Sequence, residues 1–360
     1  MTSQTDADLE RVQVRTVEGT PAAHVSVGLS GLRRRLTARL SLEALPSYSG
    51  VLAALIVLVL VLALTQPQFS TTENILNILR TSAIPMMLAI GVTFTILLGG
   101  IDLSVGSLLA LSGVVLFGLL GVVPEPVAVL GAVLFGAALG ALTNGLFIGW
   151  LRLPPLVTTL GTLAAFRGFA YIFTDGTTKY VDRYPLVADL GDGSVGGVPI
   201  PVIIVTVVAA LAVFTLRATY FGRDVYAIGG NREAARLSGI PIARVTVLIY
   251  LVSGATAGLA GVMQAGRLAS VSPGVAQGLE LYVAAAVLLG GTSLAGGRGG
   301  IVGTVVGVLL LVTIENGLTL IGVLSYWQQV VTGSILVIAV LLDRLREQLI
   351  IRRGAKAALS

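Results

Sequence analysis

The chain has no cysteine, a single histidine and few charges: Asp, Glu, Lys and Arg together make up 11% of its 360 residues, against about 25% in an ordinary soluble protein. Without cysteine there are no disulfides, thiolate nucleophiles, iron–sulfur clusters or zinc–thiolate sites. His24 stands in a polar leader, so a histidine metal set or a Ser/His or Cys/His pair cannot be assembled. The two lysines, Lys179 and Lys356, are followed by Tyr180 and Ala357. No Gly-Lys-Ser/Thr ending exists, which excludes P-loop nucleotide hydrolysis by this polypeptide. Paired catalytic carboxylates are not spelled out either, which argues against an intramembrane enzyme.

Apolar surface is what the chain has in excess. Hydrophobic residues make up 55% and the mean hydropathy is +0.94. A fold that cannot spread charge over its surface needs lipid around it, so the bilayer is the first partner and nucleic acid is not one. Ten stretches, near 48–66, 77–98, 103–123, 126–149, 156–174, 199–217, 244–265, 280–292, 301–323 and 326–342, approach the roughly 20 apolar residues that a crossing needs. They predict an all-α polytopic membrane helix bundle of about ten transmembrane helices. The second and eighth are the candidates for broken or re-entrant spans.

With the N-terminus inside, ten crossings leave only Arg80, Arg167, Lys179, Arg183 and Arg267 of the 23 Lys and Arg outside or within spans. The positive-inside bias therefore predicts that both termini are cytoplasmic. The expected organisation is a polar cytoplasmic tail at 1–46, a transmembrane domain at 47–343 and a basic cytoplasmic tail at 344–360. The segment at about 175–198, with Asp175, Asp182, Asp189 and Asp192, reads as a solvated outside connector.

Three constellations carry information. In Gly99-Gly100-Ile101-Asp102-Leu103-Ser104-Val105-Gly106 an acidic residue sits in a glycine-bounded break between apolar spans. Asp102 either caps the third span or, with Ser104, lines a polar path, and the two roles are compatible. In the inside loop 222–241, Asn231 is a plausible N-cap, Glu233 falls in the first turn, and Gly239-Ile240-Pro241 is a stop. A short helix of about two turns is expected there. The third is the glycine-rich run 290–300. Residues 97–106 and 288–297 agree at six of ten positions, an internal echo of the sort transporter repeats leave. Within the spans Asn144, Arg167, Glu315 and Asn316 are the expensive polar groups. Asn144 is expected to bond a neighbouring helix, and Arg167 to lie about two turns from the outer surface, within reach of it.

These stretches, taken in order from about Asn74 to Asp343, resemble the permease subunit of bacterial ABC sugar importers of the ribose, xylose and galactose type. The resemblance rests on residues 99–106, Thr159-Leu160-Gly161-Thr162 with Arg167-Gly168, the run from Gly229-Gly230-Asn231 to Gly239-Ile240, Gly290 to Leu294 with Gly296-Gly297, and Asn316-Gly317-Leu318. It implies a homodimer, cytoplasmic ABC ATPase subunits carrying ATP and Mg, and an extracytoplasmic sugar-binding protein. No cofactor is implied on this chain. Loop 222–241 would be the coupling helix docking into the ATPase, through Gly230, Asn231, Glu233, Ala234, Ala235 and Gly239. Asp102, Ser104, Arg167, Thr292 and Asn316 become translocation-pathway candidates. The chain departs from the pattern at Leu279-Glu280-Leu281-Tyr282, where relatives commonly show Tyr-Glu-Leu-Asp, and at Glu315, where an uncharged amide is expected; carrying over ribose is unsafe. Related permeases for nucleosides or branched-chain amino acids, and a secondary carrier, are the alternatives.

Overall fold

The computed structural model describes residues 48–324 and, piecewise, 326–328, 330–331, 333–335, 337–338 and 341. The expected tails at 1–46 and 344–360, and part of the tenth candidate span, lie outside the described residues. The helices are α1 (Ser49–Thr65), α2 (Thr72–Leu97), α3 (Val105–Leu119), α4 (Glu125–Gly140), α5 (Leu146–Gly149), α6 (Pro155–Thr174), α7 (Pro185–Asp192), α8 (Ile200–Ala218), α9 (Tyr220–Gly230), α10 (Arg232–Leu237), α11 (Ile242–Leu268), α12 (Leu279–Leu289) and α13 (Ile301–Leu320). Two antiparallel strand pairs accompany them, β1 (Lys179–Tyr180) with β4 (Ser270–Val271) and β2 (Ser194–Val195) with β3 (Val198–Pro199).

Among the described residues, six helical stretches are long and apolar enough to cross a membrane: α2, Glu125–Gly149, α6, α8, α11 and α13. Helices α1, α3 and α12 are apolar but shorter. The second candidate span is not broken. Thr71 Oγ1 accepts the Asn74 N–H at 3.3 Å, Glu73 sits in the first turn, and α2 continues through Pro85 for 26 residues. A proline is tolerated in a membrane helix because neighbouring groups satisfy the carbonyl that it frees. The eighth candidate is short as expected: 11 residues give about 16 Å at 1.5 Å per residue, roughly half the ~30 Å hydrocarbon core.

Helix α11 is the axis of the bundle, packed against α2, α3 and α4. Its small residues set the spacing. A methyl group on Gly136 of α4 would meet Gly254 O of α11 at 2.6 Å, and one on Gly254 would overlap Gly136 O. Lipid supplies no hydrophobic drive between helices, so close approach at small residues is what provides packing energy. The perimeter is the reverse. Ile56 and Leu60 of α1, Val157 and Ile172 of α6, and Val207 and Leu211 of α8 are all exposed, as a surface wetted by acyl chains requires.

Two breaks in this packing share one geometry. At the end of α2, Gly99 (φ +87°) donates to Ile96 O and Gly100 to Thr95 O; at the end of α12, Gly291 (φ +85°) donates to Leu288 O and Thr292 to Val287 O. Both are Schellman endings, with glycine at the one position that needs a left-handed backbone. The internal echo is thus real as local structure, but Gly99 matches Gly291, one residue away from the register suggested by sequence identity.

Beyond these endings the chain does not resume helix at once. Residues 98–104 run without regular structure from Leu97 into the bundle, where α3 starts. A methyl on Gly106, at that start, would touch Glu280 and Ala276 O. The N-termini of α3 and α12 therefore meet inside the bundle. The 175–198 segment is not a mere connector: Val181 and Val187 are buried, and Gly191 lies against Gly266 and Arg267 at the end of α11.

The Gly136–Gly254 contact generates a prediction. Gly254→Leu should force α4 and α11 apart and cost well over the ~1–3 kcal/mol typical of overpacking, because backbone rather than a side chain is in the way. Size-exclusion and thermal unfolding in detergent should show aggregation or a lowered Tm, whereas Gly161→Leu, at a position with open space, should not.

Candidate functional site

The densest polar constellation lies where residues 98–104 pass between α4, α6 and α11. Asp102 is 2% exposed. Ser104 donates both its N–H (3.0 Å) and its hydroxyl (2.6 Å) to Asp102 Oδ1, and Ser253 of α11 donates to Oδ2 at 2.8 Å. Asn144 Nδ2 donates to Ser104 Oγ at 2.8 Å, and the Thr162 hydroxyl of α6 donates to Asn144 Oδ1 at 2.7 Å. Thr159 adds a bond to Ile101 O at 3.1 Å.

Asp102 does not sit at the N-cap. Ser104 occupies that position, and its side chain makes no cap bond. Asp102 instead turns the chain two residues earlier and ties it to α11. Asn144 reaches the cluster because α4 opens into a single π turn over Ala141–Gly145, a local insertion that re-aims side chains. It does what was expected of it and links two neighbouring elements. Ser253, absent from the candidate residues, completes the cluster; its only sequence signal is a hydroxyl in the small-residue run Ser253-Gly254-Ala255-Thr256.

The other pathway candidates do not join this cluster. Arg167 does not reach for the surface: its Nη1 donates to Pro273 O at 2.6 Å and Val275 O at 2.8 Å, clamping the segment ahead of α12. Thr292 is buried in the loop after α12, against Gly299. Asn316 of α13 makes a reciprocal amide pair with Asn74 of α2, at 2.8 and 3.1 Å, near the ends of those helices opposite to Leu97. Glu315, beside it, accepts from the Tyr282 hydroxyl at 3.4 Å.

A second constellation is the helix pair α9–α10. Asn231 is the N-cap as expected, its Oδ1 accepting the Ala234 N–H at 2.9 Å. Gly239 (φ +80°) closes α10, with its N–H on Arg236 O and that of Ile240 on Ala235 O. Helix α9 was not anticipated; Thr219 caps it by accepting the Gly222 N–H. The six coupling candidates divide. Gly230, Asn231, Glu233, Ala234 and Gly239 are exposed, whereas Ala235 is buried against its own chain. Leu237, 74% exposed, was missed; a leucine on a short polar helix is its signal.

Glu233 and Arg236 pair at 2.6 Å on the open face of α10. The hydrogen bond from Arg236 holds the Glu233 carboxyl below the usual glutamate range. A depressed carboxyl keeps its charge above its unfolded value and loses it only as pH falls through the folded one, so the pair is intact at neutral pH. Being fully exposed, it organises the surface rather than stabilising the fold.

For the buried cluster, Asn144→Ala removes two hydrogen bonds at once. Membrane helix pairs average well under 2 kcal/mol per bond, so a loss of about 1–2 kcal/mol is expected, read as a lower Tm in detergent. The double variant Asn144→Ala/Thr162→Val should cost less than the sum of its parts, since both share one bond.

Comparison with known proteins places these features. The family described as branched-chain amino acid transport system/permease component matches residues 74–340. The ribose import permease protein RbsC of Bacillus subtilis is 44% identical over 310 residues, covering 85% of this chain and 95% of the relative. The D-allose transport system permease protein AlsC of Escherichia coli is 40% identical over 299 residues, covering 82% and 91%. The L-arabinose ABC transporter permease protein AraH of Azospirillum brasilense is 38% identical over 299 residues, covering 83% and 88%. No solved structure matches. With a family match along most of its length and full-length relatives that are permeases, the chain belongs to this family of transport permease components and is a multi-pass protein of the inner membrane.

Proposed function

We propose that this chain is the membrane-spanning subunit of an ATP-driven importer for a monosaccharide, a pentose or hexose. It works as a homodimer with cytoplasmic ABC ATPase subunits, which bind ATP and Mg, and with an extracytoplasmic sugar-binding protein that delivers the ligand. The observation that carries this reading is the similarity, along more than four-fifths of the chain, to permeases named for ribose, D-allose and L-arabinose. The family description mentions branched-chain amino acids, but these three relatives favour a sugar.

The chemistry of the interior agrees. A sugar is neutral and polyhydroxylated, so its path needs hydroxyl, amide and backbone groups rather than strong fixed charge. Asp102 is sealed, both oxygens taken by serine donors, so it presents no open carboxylate to the path.

In this reading the α9–α10 end is cytoplasmic, supported by Arg217, Arg223, Arg232, Arg236 and Arg244 at that end. Helix α10 is the coupling helix, with Ala234 and Leu237 on its open face as the groups that enter a groove on the ATPase. The permease performs no chemical step; ATP binding and the loaded binding protein bias two conformations of the bundle.

Reconstitution with the ATPase and the binding protein tests this. Sugar uptake into vesicles should require ATP and all three components. Glu233→Arg and Gly239→Trp should abolish uptake while the permease stays folded in the membrane; unimpaired uptake by both variants removes α10 from the mechanism.

A further inference from the structure

Between α11 and α12 the chain turns back into the bundle. Arg167, which holds this segment, lies seven residues before the end of α6 at Thr174, about 10 Å in from that end at 1.5 Å per residue. Residues 272–278 are not helical, and Gln277 and Gly278 are exposed. Non-helical backbone and an open amide at membrane depth cannot face lipid; they are tolerated only where protein covers them or where they line water. Glu280, one helical turn on, is 8% exposed. One of its carboxylate oxygens accepts the Gly278 N–H at 3.1 Å, and the other, set against Gly106 at the start of α3, has no hydrogen-bond partner among the described residues.

The N-termini of the two half-length helices, α3 and α12, meet at this carboxylate. Its second oxygen is not explained. A buried acceptor without a donor is costly, and a hydroxyl donor would satisfy it.

We propose that the segment Val275–Glu280, clamped by Arg167, is a wet subsite of the translocation path, where the Gln277 amide and the Glu280 carboxylate take hydroxyls of a neutral polyhydroxylated ligand. It rests on the importer reading and names the residues of its path. The Arg167 clamp makes that arginine a positioning residue, since both contacts of its Nη1 are to backbone.

The absence of cysteine makes the test direct. Gln277→Cys and, in case that variant does not fold, Gly274→Cys, whose new side chain meets only Tyr171 Oη at 3.4 Å, are placed in the complete transporter in vesicles. They are treated with a charged, membrane-impermeant methanethiosulfonate, with Leu211→Cys on the lipid face as control. The expected result is modification several-fold faster than at position 211, loss of ATP-dependent sugar uptake on modification, and protection by transported sugar with its binding protein. Modification no faster than at 211, or modification that leaves uptake intact, overturns the subsite. Absence of ATP-dependent uptake by the unsubstituted parent overturns the importer reading instead, and shows before any reagent is added.

Discussion

Lipid cannot satisfy a backbone N–H or C=O, and the fold is organised around obeying that rule at the places where helix is abandoned. Residues 98–104, 269–278 and 290–300 all leave regular helix inside or at the edge of the bundle. Each is settled by a different device. Residues 98–104 are settled by the Asp102 cluster and by Thr159 on Ile101 O. Residues 273–275 are held by the guanidinium of Arg167. The third stretch is held by Gly297 donating to Leu97 O at 2.9 Å and by the Tyr226 hydroxyl donating to Gly299 O.

The packing that makes room for these devices depends on residues with almost no side chain. At Gly136 and Gly254 two helix backbones come into contact, which brings Ser253 within reach of Asp102. The polar cluster and the glycine contacts are therefore one arrangement seen at two scales: without the close approach, the serine donor would stand too far away and the carboxylate would be buried with an open oxygen. Conversely, the hydroxyl bonds supply directionality that dispersion between smooth helices lacks.

Much of this was legible in the sequence, for identifiable reasons. Apolar length and arginine placement are averages over many residues, so the membrane class and most helices emerged. The Asn231 cap and the Gly239 stop were readable because both depend on neighbours within a few residues. What depends on contact between distant residues was not readable. Arg167 is two turns from a helix end, and nothing near it in sequence tells that it bends toward residues 273–275. Asn316 looked like a pathway residue because a polar group in a span is expensive, yet its amide is matched by Asn74, 242 positions away. Gln277 carries no signal in the sequence, because only the turn of the chain back into the bundle places it beside Glu280.

The glycine-rich loop after α12 has a mechanical consequence. Gly297 bonds Leu97 O at the end of α2, and the backbone of Gly229 in α9 lies against both Leu97 O and Gly297. The Tyr226 hydroxyl of α9 donates to Gly299 O at 2.9 Å. At Gly229 backbone packs directly on backbone, so this junction has little room to yield. A shift of α9 therefore presses on the end of α2 and on the loop, or breaks the Tyr226–Gly299 bond. The end of α2 continues into residues 98–104 and thus into α3, while the loop continues from α12. Both half-length helices are thus connected, through a few close contacts, to the same helix α9. Left-handed glycines lie on both routes, Gly99 on one side and Gly291, Gly296 and Gly297 on the other. If the ATPase acts on α9 and α10, as proposed, these contacts form a continuous route from them to the two helix N-termini that meet at Glu280.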